Sequence, residues 1–450
     1  MEGRRVLVIG GGEIGLGVCR RLAPAHDVVI LDQQASLADR FASLDVQFLA
    51  GNGTSPDTLR RAGAADCDYL IAATGSDEVN VLASLIGRRL GAGRTLCVVS
   101  RDDLLKPTGE GEDLRAQLGI DHVIWPEAQL ADDIERIIAA PGAIDAETFE
   151  QGRIALLEYR IAAQSPLASG PLSSLDLPRG VLVVAVRRDA DFSIPHGSTV
   201  LRAGDKVFLM GTADAIAEIQ RRFAGRAVAA RQAVTIVGGG DVGFRLAQRL
   251  EERNRADVRI LERDPARGAV LAAALRRTLV LNGDGTDLEL LEAEDIGRSD
   301  VLVSVIDNDE RNLFASILAR QLGVTRIITR VSRHSNLRLF ERVGVDVALS
   351  ARGAAIAAIA HYVQGGQSSL LAVLEEGQAQ VVEVQVPAHF PATPLNQLRS
   401  LPASIVGAIL RSDDAIVPGG HDVVRAGDRL LVFTTTADSD AVREYFARQG

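Results

Sequence analysis

Two glycine-rich segments carry the clearest chemical signal in the sequence. GGGEIG spans Gly10–Gly15 and GGGDVG spans Gly238–Gly243, and both fit the pattern GxGxxG. An apolar run precedes each loop and a helical pattern follows it. An acidic residue, Asp32 or Glu262, stands about 20 positions further on. This context is typical of a loop that binds the pyrophosphate of a nucleotide.

Each glycine of such a loop has its own physical role. In the first loop Gly10 permits the tight turn, Gly12 lets a pyrophosphate approach the backbone, and Gly15 lets helix and strand pack closely. The following helix offers free N–H groups and partial positive charge to an anion. The predicted binding residues of the two loops are Gly10, Gly11, Gly12, Glu13, Ile14 and Gly15, and Gly238, Gly239, Gly240, Asp241, Val242 and Gly243.

Acidic residues narrow the choice of nucleotide. Asp32 and Glu262 end the second predicted strand of each half, where a carboxylate accepts both ribose hydroxyls and repels a 2′-phosphate. NAD(H) or an adenine nucleotide is therefore favoured over NADP, the alternative being a solvated acid at a strand end. Glu13 and Asp241 place negative charge inside the loops, which weighs against a highly charged phosphate chain directly above them.

Catalytic patterns are missing from the sequence. It has no HExxH, GxSxG, Tyr-x-x-x-Lys or GxxxxGK[ST] pattern. A histidine at position 334 or 361 could be read as a general base, but a surface or helix-face histidine is favoured. The pairs Asp77–Glu78 and Asp309–Glu310 are interpreted as acids at helix N-termini rather than as an acid/base pair. We expect no enzyme activity.

The composition argues against several other classes of protein. The 450 residues include 49 basic and 59 acidic side chains, so the net charge of −10 argues against a nucleic-acid-binding face. Cys19, Cys67 and Cys97 form no CxxC pair, so neither a disulfide framework nor a thiolate metal site is expected, which suits a cytosolic protein. No apolar run approaches the ~18 residues of a membrane-spanning helix.

The chain repeats itself in the order A–B–A′–B′. Gly10 pairs with Gly238 at an offset of 228, and GNGTSPDTL from Gly51 pairs with GDGTDLELL from Gly283 at 232. A second repeat, RAGDKVFLMG from Arg202 and RAGDRLLVFT from Arg425, follows at offset 223. This long period indicates domain duplication. The predicted domains are residues 1–140, 141–226, 232–352 and 368–450, with a linker at Arg221–Gln232.

Short apolar runs that alternate with helical patterns define the fold of A. Wholly apolar strands spaced by helices predict a parallel sheet covered on both faces, so A and A′ are expected to be doubly wound, Rossmann-like α/β domains. Unit B has runs separated by proline and glycine turns, which predict a small α+β domain. The strands predicted in A are Arg5–Ile9, Val28–Leu31, Val46–Leu49, Tyr69–Ala73, Thr95–Ser100 and His122–Trp125.

Taken together, the glycine loops, the GNGT and GDGT corners, the segments AATGSDEVN, SVIDNDERN and WPEAQLADDIERIIAAPGA, and the RAGD units resemble the tandem RCK (or KTN) family of cytosolic potassium-transport regulators. The resemblance covers essentially the whole chain. It implies NAD(H) and ATP or ADP competing at the glycine loops, and a homo-oligomeric ring, expected to be a tetramer. It further implies a membrane potassium permease of the Trk type as partner, and hence a place on the inner face of the membrane.

The resemblance also assigns further site residues. Corners after the third and fourth strands flank the nucleotide, and an arginine on the fifth strand points at it. Arg330 fills that arginine position in the second half, but Val98 fills it in the first. We therefore expect the second site to hold the more highly charged nucleotide. The corner residues implied are Gly51, Asn52, Thr54, Thr74 and Gly75, and Gly283, Asp284, Thr286, Ile306 and Asp307.

Two classes of function remain at this stage. The favoured one is a regulatory subunit that gates a potassium channel or transporter through nucleotide-dependent rearrangement of a ring. The alternative is a soluble NAD-dependent dehydrogenase with a duplicated Rossmann core, against which the missing proton donor argues. A nucleotide or redox sensor without a transporter is a third possibility.

Overall fold

Ten segments of the chain are described by the computed structural model: residues 3–101, 114–162, 165–189, 191–223, 231–333, 336–365, 370–374, 378–398, 403–411 and 414–448. Residue 334 and most of the predicted linker lie outside them. The linker prediction was wrong at both ends, because a helix reaches Phe223 and a strand begins at Gln232.

The first α/β domain is a six-stranded parallel sheet of order β3-β2-β1-β4-β5-β6. Val6 and Val8 of β1 enter the core on one face, while Leu7 and Ile9 enter the core on the other. Its strands are β1 (Arg5–Ile9), β2 (Asp27–Asp32), β3 (Gln47–Ala50), β4 (Tyr69–Ala72), β5 (Arg94–Val98) and β6 (His122–Ile124). Its helices are α1 (Glu13–Leu22), α2 (Pro56–Arg61), α3 (Asp77–Leu90) and α4 (Leu114–Gln117), and α5 (Pro126–Ala139) follows the sheet.

The first small domain has five antiparallel strands in the order β10-β9-β11-β8-β7. The strands are β7 (Asp145–Phe149), β8 (Ile154–Arg160), β9 (Val181–Arg188), β10 (Asp191–Ser193) and β11 (Lys206–Thr212), closed by helix α6 (Ala213–Phe223). The apolar runs of the sequence predict strands at Ile154–Ile161, Val181–Val186 and Val207–Met210 and a helix at about Ala213–Phe223, which correspond to β8, β9, β11 and α6. They do not predict the edge strands β7 and β10. These two strands are half exposed, so they lack a continuous apolar run.

The second α/β domain repeats the first, with sheet order β14-β13-β12-β15-β16-β17. Its strands are β12 (Gln232–Val237), β13 (Ala256–Glu262), β14 (Leu279–Asn282), β15 (Val301–Ser304), β16 (Arg326–Arg330) and β17 (Val347–Leu349). Its helices are α7 (Asp241–Arg253), α8 (Pro265–Ala274), α9 (Leu288–Ala293), α10 (Asp309–Leu322), α11 (Leu337–Arg342) and α12 (Ala351–Gly365). The predicted fold class, two Rossmann-like domains each followed by a small α+β domain, is confirmed.

The second small domain has a five-stranded sheet of order β18-β19-β24-β21-β22 and a two-stranded sheet. Its strands are β18 (Leu370–Leu374), β19 (Ala379–Gln385), β20 (Thr393–Pro394), β21 (Ser404–Arg411), β22 (Asp414–Ile416), β23 (Val423–Val424) and β24 (Arg429–Thr435), followed by α13 (Ser439–Arg448).

The RAGD repeat of the small domains has a structural cause. Asp205 accepts two hydrogen bonds from the guanidinium of Arg188, at 2.8 and 2.7 Å, and Asp428 accepts two from Arg411, at 2.7 Å each. Both carboxylates are buried, and these hydrogen bonds hold the pKa of each below its usual range against the effect of burial. The motif fixes a turn to a neighbouring strand, so it explains stability rather than chemistry.

Domains of the same kind associate, so the chain forms two compact units. Met1–Asp132 and Ala233–Val363 form one unit, and Asp133–Gln232 and Gln364–Gly450 form the other. In the second unit both five-stranded sheets contribute to one hydrophobic core, where Phe208 and Phe433 lie with ring centroids 6.1 Å apart. Each unit therefore contains parts of both halves of the chain, which the repeat by itself did not predict. Among the described residues, no helix is both long and apolar enough to cross a membrane.

Candidate functional site

The glycine loops lie where β1 and β12 end, at the point where the order of each sheet reverses direction. Gly10 has φ +107° and Gly238 has φ +106°, a region that favours glycine. A Cβ on Gly10 would also stand 2.6 Å from the carbonyl oxygen of Ala73. The first glycine of each loop thus makes the turn that brings the chain back over the carboxyl edge of the sheet. Ligands of this fold class bind at that edge.

The third glycine of each loop fixes the helix against the turn. A Cβ on Gly15 would lie 1.8 Å from the oxygen of Gly10, and one on Gly243 would lie 2.0 Å from the oxygen of Gly238. Any side chain would push α1 or α7 off its loop. This close packing aims the N-terminus of each helix at the cleft above the sheet.

The second glycine of each loop faces open space. A Cβ on Gly12 or Gly240 would have no heavy atom within 4 Å. Each is the N-cap of its helix and offers no side chain to accept a hydrogen bond from the first N–H groups of that helix. Backbone N–H groups at an open helix N-terminus fit the pyrophosphate of NAD(H) or of ATP and ADP.

The two strand-end acids contact the loops. One oxygen of Asp32 accepts the N–H of Gly11 at 2.6 Å, and the other accepts that of Gln34 at 2.8 Å. Glu262 repeats the pattern with Gly239 and Asp264, both at 2.8 Å. A carboxylate has about four lone-pair sites, so each acid can hold its loop and still accept ribose hydroxyls.

The GNGT and GDGT corners are local turns that lie against the strand before each loop. The side-chain oxygen of Asn52 accepts both the N–H and the hydroxyl of Thr54 at 2.9 Å. Asp284 does the same for Thr286, at 3.0 and 2.7 Å. Within these corners a Cβ on Gly53 would lie 2.4 Å from Ile9. The corners thus support the clefts, while their contact with a ligand stays a prediction.

Sequence reasoning missed two asparagines that organise the corners after the fourth strands. Asn80 is buried in α3, accepts the N–H of Thr74 at 2.8 Å and donates to the carbonyl of Val98 at 2.9 Å. Asn312 of α10 binds Ile306 and the carbonyl of Arg330 in the same way. They tie the end of the fourth strand to the end of the fifth. The signal was present as the last letter of DEVN and DERN.

The acids that open α3 and α10 are structural, as interpreted from the sequence. Asp77 and Asp309 stand in the first turn of their helices. Asp77 also accepts the N–H groups of Ser100 and Arg101 at about 2.9 Å, and Asp309 accepts that of Ser332 at 2.8 Å. Both carboxylates therefore hold the loop that follows the fifth strand.

Arginines distinguish the two clefts. Arg330 pairs with Asp307 at 3.0 Å, whereas the equivalent Val98 is buried. Sequence reasoning missed two more arginines: Arg267 donates to the carbonyl of Gly239 at 2.9 Å, and Arg311 pairs with Asp284 at 2.6 Å. In the first cleft, Arg40 pairs with Glu13 at 2.8 Å. In the second loop, Asp241 lies 3.8 Å from Arg267. Each loop acid thus has an arginine nearby that lies outside its own loop motif.

Three histidines lie away from the glycine loops. His26 directly precedes β2 and His122 begins β6, so both stand at the amino edge of the first sheet, opposite the loops. His361 lies near the end of α12. Burial lowers the pKa of all three. These positions do not suit proton transfer to a nucleotide held at the carboxyl edge.

The duplicated sheets and loops define the class: a tandem RCK protein with two nucleotide-type Rossmann domains. A TrkA-N domain profile matches residues 6–126 and 234–351, and a TrkA-C domain profile matches residues 156–224 and 381–447. The chain belongs to the TrkA family of Trk system potassium uptake proteins.

Curated relatives match over nearly their whole length. The Trk system potassium uptake protein TrkA homolog 1 of Methanosarcina mazei is 34% identical, with 98% of this chain and 100% of the relative covered. The TrkA homolog of Archaeoglobus fulgidus is 33% identical, with the same coverage. TrkA of Haemophilus influenzae is 29% identical, with 95% of each chain covered.

Solved structures share the fold. The crystal structure of the GsuK RCK domain superposes with a TM-score of 0.60 at 19% identity and covers 99% of this chain and 95% of that chain. The GsuK channel bound to NAD gives 0.60 at 18% identity and covers 99% and 79%.

Proposed function

We propose that the chain is the cytosolic, nucleotide-binding regulatory subunit of a Trk-type potassium permease. The observation that carries the proposal is the pair of open positions at Gly12 and Gly240, each at an uncapped helix N-terminus beside a strand-end carboxylate. The link to potassium uptake comes from the named family members.

The ligands we propose are NAD(H) and ATP or ADP, competing at both glycine loops. Asp32 and Glu262 would accept the ribose hydroxyls, and the helix N-termini would hold the phosphates. The fold is also that of a channel whose structure was solved with NAD. The corner residues Asn52, Thr74 and Asp307 complete the proposed clefts.

Nucleotide binding would act by changing the conformation of the assembly rather than by catalytic turnover of the nucleotide. A ring of these subunits, which we propose to be a tetramer on the inner face of the membrane, would change its domain arrangement with the nucleotide bound. A differential affinity of about 1–3 kcal/mol per site is enough to shift such an equilibrium 5- to 150-fold. The functional domains we propose remain residues 1–140, 141–226, 232–352 and 368–450.

Potassium flux through a reconstituted complex tests the function. The permease alone and the permease with this chain are placed in vesicles, and ATP, ADP and NADH are varied. We expect flux to depend on the nucleotide only when the chain is present. Flux independent of every nucleotide would contradict the proposal, as would steady NADH consumption with a small carbonyl substrate.

Substitution of Asp32 tests the ribose role. Asp32→Ala should weaken NADH binding at the first cleft by about 1–3 kcal/mol, the scale of lost charged hydrogen bonds. Calorimetry on the full chain measures the loss, with Glu262→Ala as the counterpart in the second cleft. Asp45→Ala, an exposed acid of the same domain, is the control. Equal affinity in Asp32→Ala and the control would refute the role.

A further inference from the structure

Three helices of the first α/β domain end at the amino edge of its sheet, opposite the glycine loop. Helices α1, α2 and α3 run back against the parallel strands, so their last turns lie beside the residues that begin the strands. At this edge the carbonyl of Arg5 accepts the N–H of Asp68 at 2.9 Å. A Cβ on Gly91 would lie 3.2 Å from the carbonyl oxygen of Ala65, so the ends of α2 and α3 lie side by side.

Arginines occupy these helix ends. Arg20, Arg61 and Arg89 lie in the last turns of α1, α2 and α3, and all three are exposed. Within the part of the chain that the structure describes, no ion pair or side-chain hydrogen bond engages any of them. The helix dipole favours a cation at a helix C-terminus, which is an ordinary structural reason for arginine here.

The second α/β domain provides an internal comparison, because it has the same order of strands and equivalent helices. At the offsets of the repeat, 228 for α1 and 232 for α2 and α3, the three positions hold Gln248, Ala293 and Gln321. Another arginine of the first edge, Arg60, is replaced by Glu292. The helix dipole acts equally in both domains, so it does not account for arginines that the first domain alone carries at these positions.

The amino edge of the first domain is positive as a whole. Two of its acids are matched within the edge, since Asp27 pairs with Arg5 and Asp121 pairs with Arg88, both at 3.5 Å. Nine arginines near the strand starts and helix ends outnumber five aspartates, in a chain whose net charge is −10. These arginines are Arg4, Arg5, Arg20, Arg21, Arg60, Arg61, Arg88, Arg89 and Arg94, and the aspartates are Asp27, Asp45, Asp66, Asp68 and Asp121.

The side chains of this edge fit a charged surface better than a protein interface. The core of a protein interface is apolar. Among the described residues of the first α/β domain, one large apolar side chain is exposed, that of Leu82, two helical turns before Arg89. Arginines without apolar neighbours are typical of binding to anionic lipid headgroups. An anionic surface repels a chain of net charge −10 unless the chain presents a positive face.

We propose that the amino edge of the first α/β domain docks on anionic lipid headgroups through Arg20, Arg61 and Arg89. This rests on the proposed place of the chain at the inner face of the membrane, and it names the surface and the lipid chemistry that hold it there. The glycine loop lies at the opposite edge of the same sheet, so a docked domain keeps its cleft open to nucleotides in solution.

Vesicle binding by the full chain, without the permease, tests the surface. The probes are vesicles of phosphatidylcholine alone and vesicles that also contain phosphatidylglycerol. We expect the chain to bind the anionic vesicles only, and to dissociate from them at high salt because salt screens the charges. Exchanging the three arginines for the residues of the second domain, as Arg20→Gln, Arg61→Ala and Arg89→Gln, should weaken binding about tenfold to hundredfold, since each contributes roughly fivefold.

The matched control removes three exposed arginines from the amino edge of the second α/β domain. Arg255→Gln, Arg276→Gln and Arg298→Gln should leave vesicle binding as it is in the unaltered chain. An equal loss in both triple variants, or no binding of anionic vesicles by the unaltered chain, would overturn the docking surface. So would a first triple variant that binds vesicles normally but no longer copurifies with the permease, because the edge would then bind protein.

Potassium flux separates this docking surface from the proposed function. If the chain ignores anionic vesicles but flux through the reconstituted complex still responds to nucleotide, the docking surface is overturned and the proposed function stands. If flux ignores every nucleotide while the vesicles bind the chain through these arginines, the proposed function is overturned and the docking surface stands.

Discussion

At the scale of residues, the same types at the same spacing do different work in the two kinds of domain. Asp32 and Glu262 end buried strands and hold glycine-loop N–H groups, so the loop and its acid form one structure. Asp205 and Asp428 also stand in a repeated motif, but each carboxylate accepts two hydrogen bonds from an arginine of its own domain. Spacing alone does not separate a carboxylate that could still accept a ligand from one that is fully paired within the protein. The partner of the carboxylate does.

A residue-scale prediction concerns Glu147 on β7, whose side chain is 37% exposed. Its partial burial raises its pKa to about 7 against the opposing effect of Arg136. A raised pKa means that the folded state favours the protonated carboxyl. Its contribution to stability is therefore full below the unfolded value near 4.5 and is lost as pH rises through about 7. We expect denaturant unfolding to show a larger stability loss between about pH 5.5 and pH 8 in the unaltered chain than in Glu147→Gln.

The control for this prediction is Asp191→Asn, an exposed acid in the same domain. It should keep the pH dependence of the unaltered chain. A Glu147→Gln profile parallel to the unaltered one would show that Glu147 ionises in the folded state as it does in the unfolded state.

At the scale of elements, small residues decide which helices touch. Gly17 lies on α1 directly under Ile356 of α12, and Ala355, Ile359 and Val363 of α12 enter the same core. Helix α12 has apolar residues around most of its circumference, so its sequence does not show which face it buries. Gly17 on the partner helix determines where α12 packs, because only a residue without a side chain leaves room for Ile356.

Replacing Gly17 tests this packing. Gly17→Ala should destabilise the α/β unit by about 1–3 kcal/mol through overpacking against Ile356. Combining it with Ile356→Ala should cost less than the sum of the two single changes, because the smaller side chain admits the added methyl group. Thermal unfolding of the four chains measures the coupling. Strict additivity would show that the two residues do not meet.

At the scale of the whole molecule, each compact unit is assembled from both halves of the chain. The core of the first α/β domain includes residues of α12. The hydrophobic core shared by the two five-stranded sheets includes Phe208 from one half and Phe433 from the other. A half of the chain expressed alone exposes these surfaces. It is therefore not an independent folding unit in the way that its sequence repeat suggests.

Separate expression checks this. Residues 1–225 should not remain a folded monomer; they should self-associate or precipitate, and mixing with residues 226–450 should restore a cooperative unfolding transition. Sedimentation and thermal unfolding provide the measurement. A monomeric 1–225 fragment that unfolds cooperatively would contradict the shared cores.

The sequence by itself determined the two Rossmann-like domains, their glycine loops and the strand-end acids. These follow from local patterns: apolar strands, loop glycines and an acid at a fixed distance in the chain. Only the tertiary structure decided that Asn80 and Asn312 tie neighbouring strands together, and that Arg267 lies near Asp241 while Arg311 pairs with Asp284. Those contacts join residues that are distant in the chain or on neighbouring strands. They depend on which surfaces pack, and hydrophobic periodicity does not specify the partner of a surface.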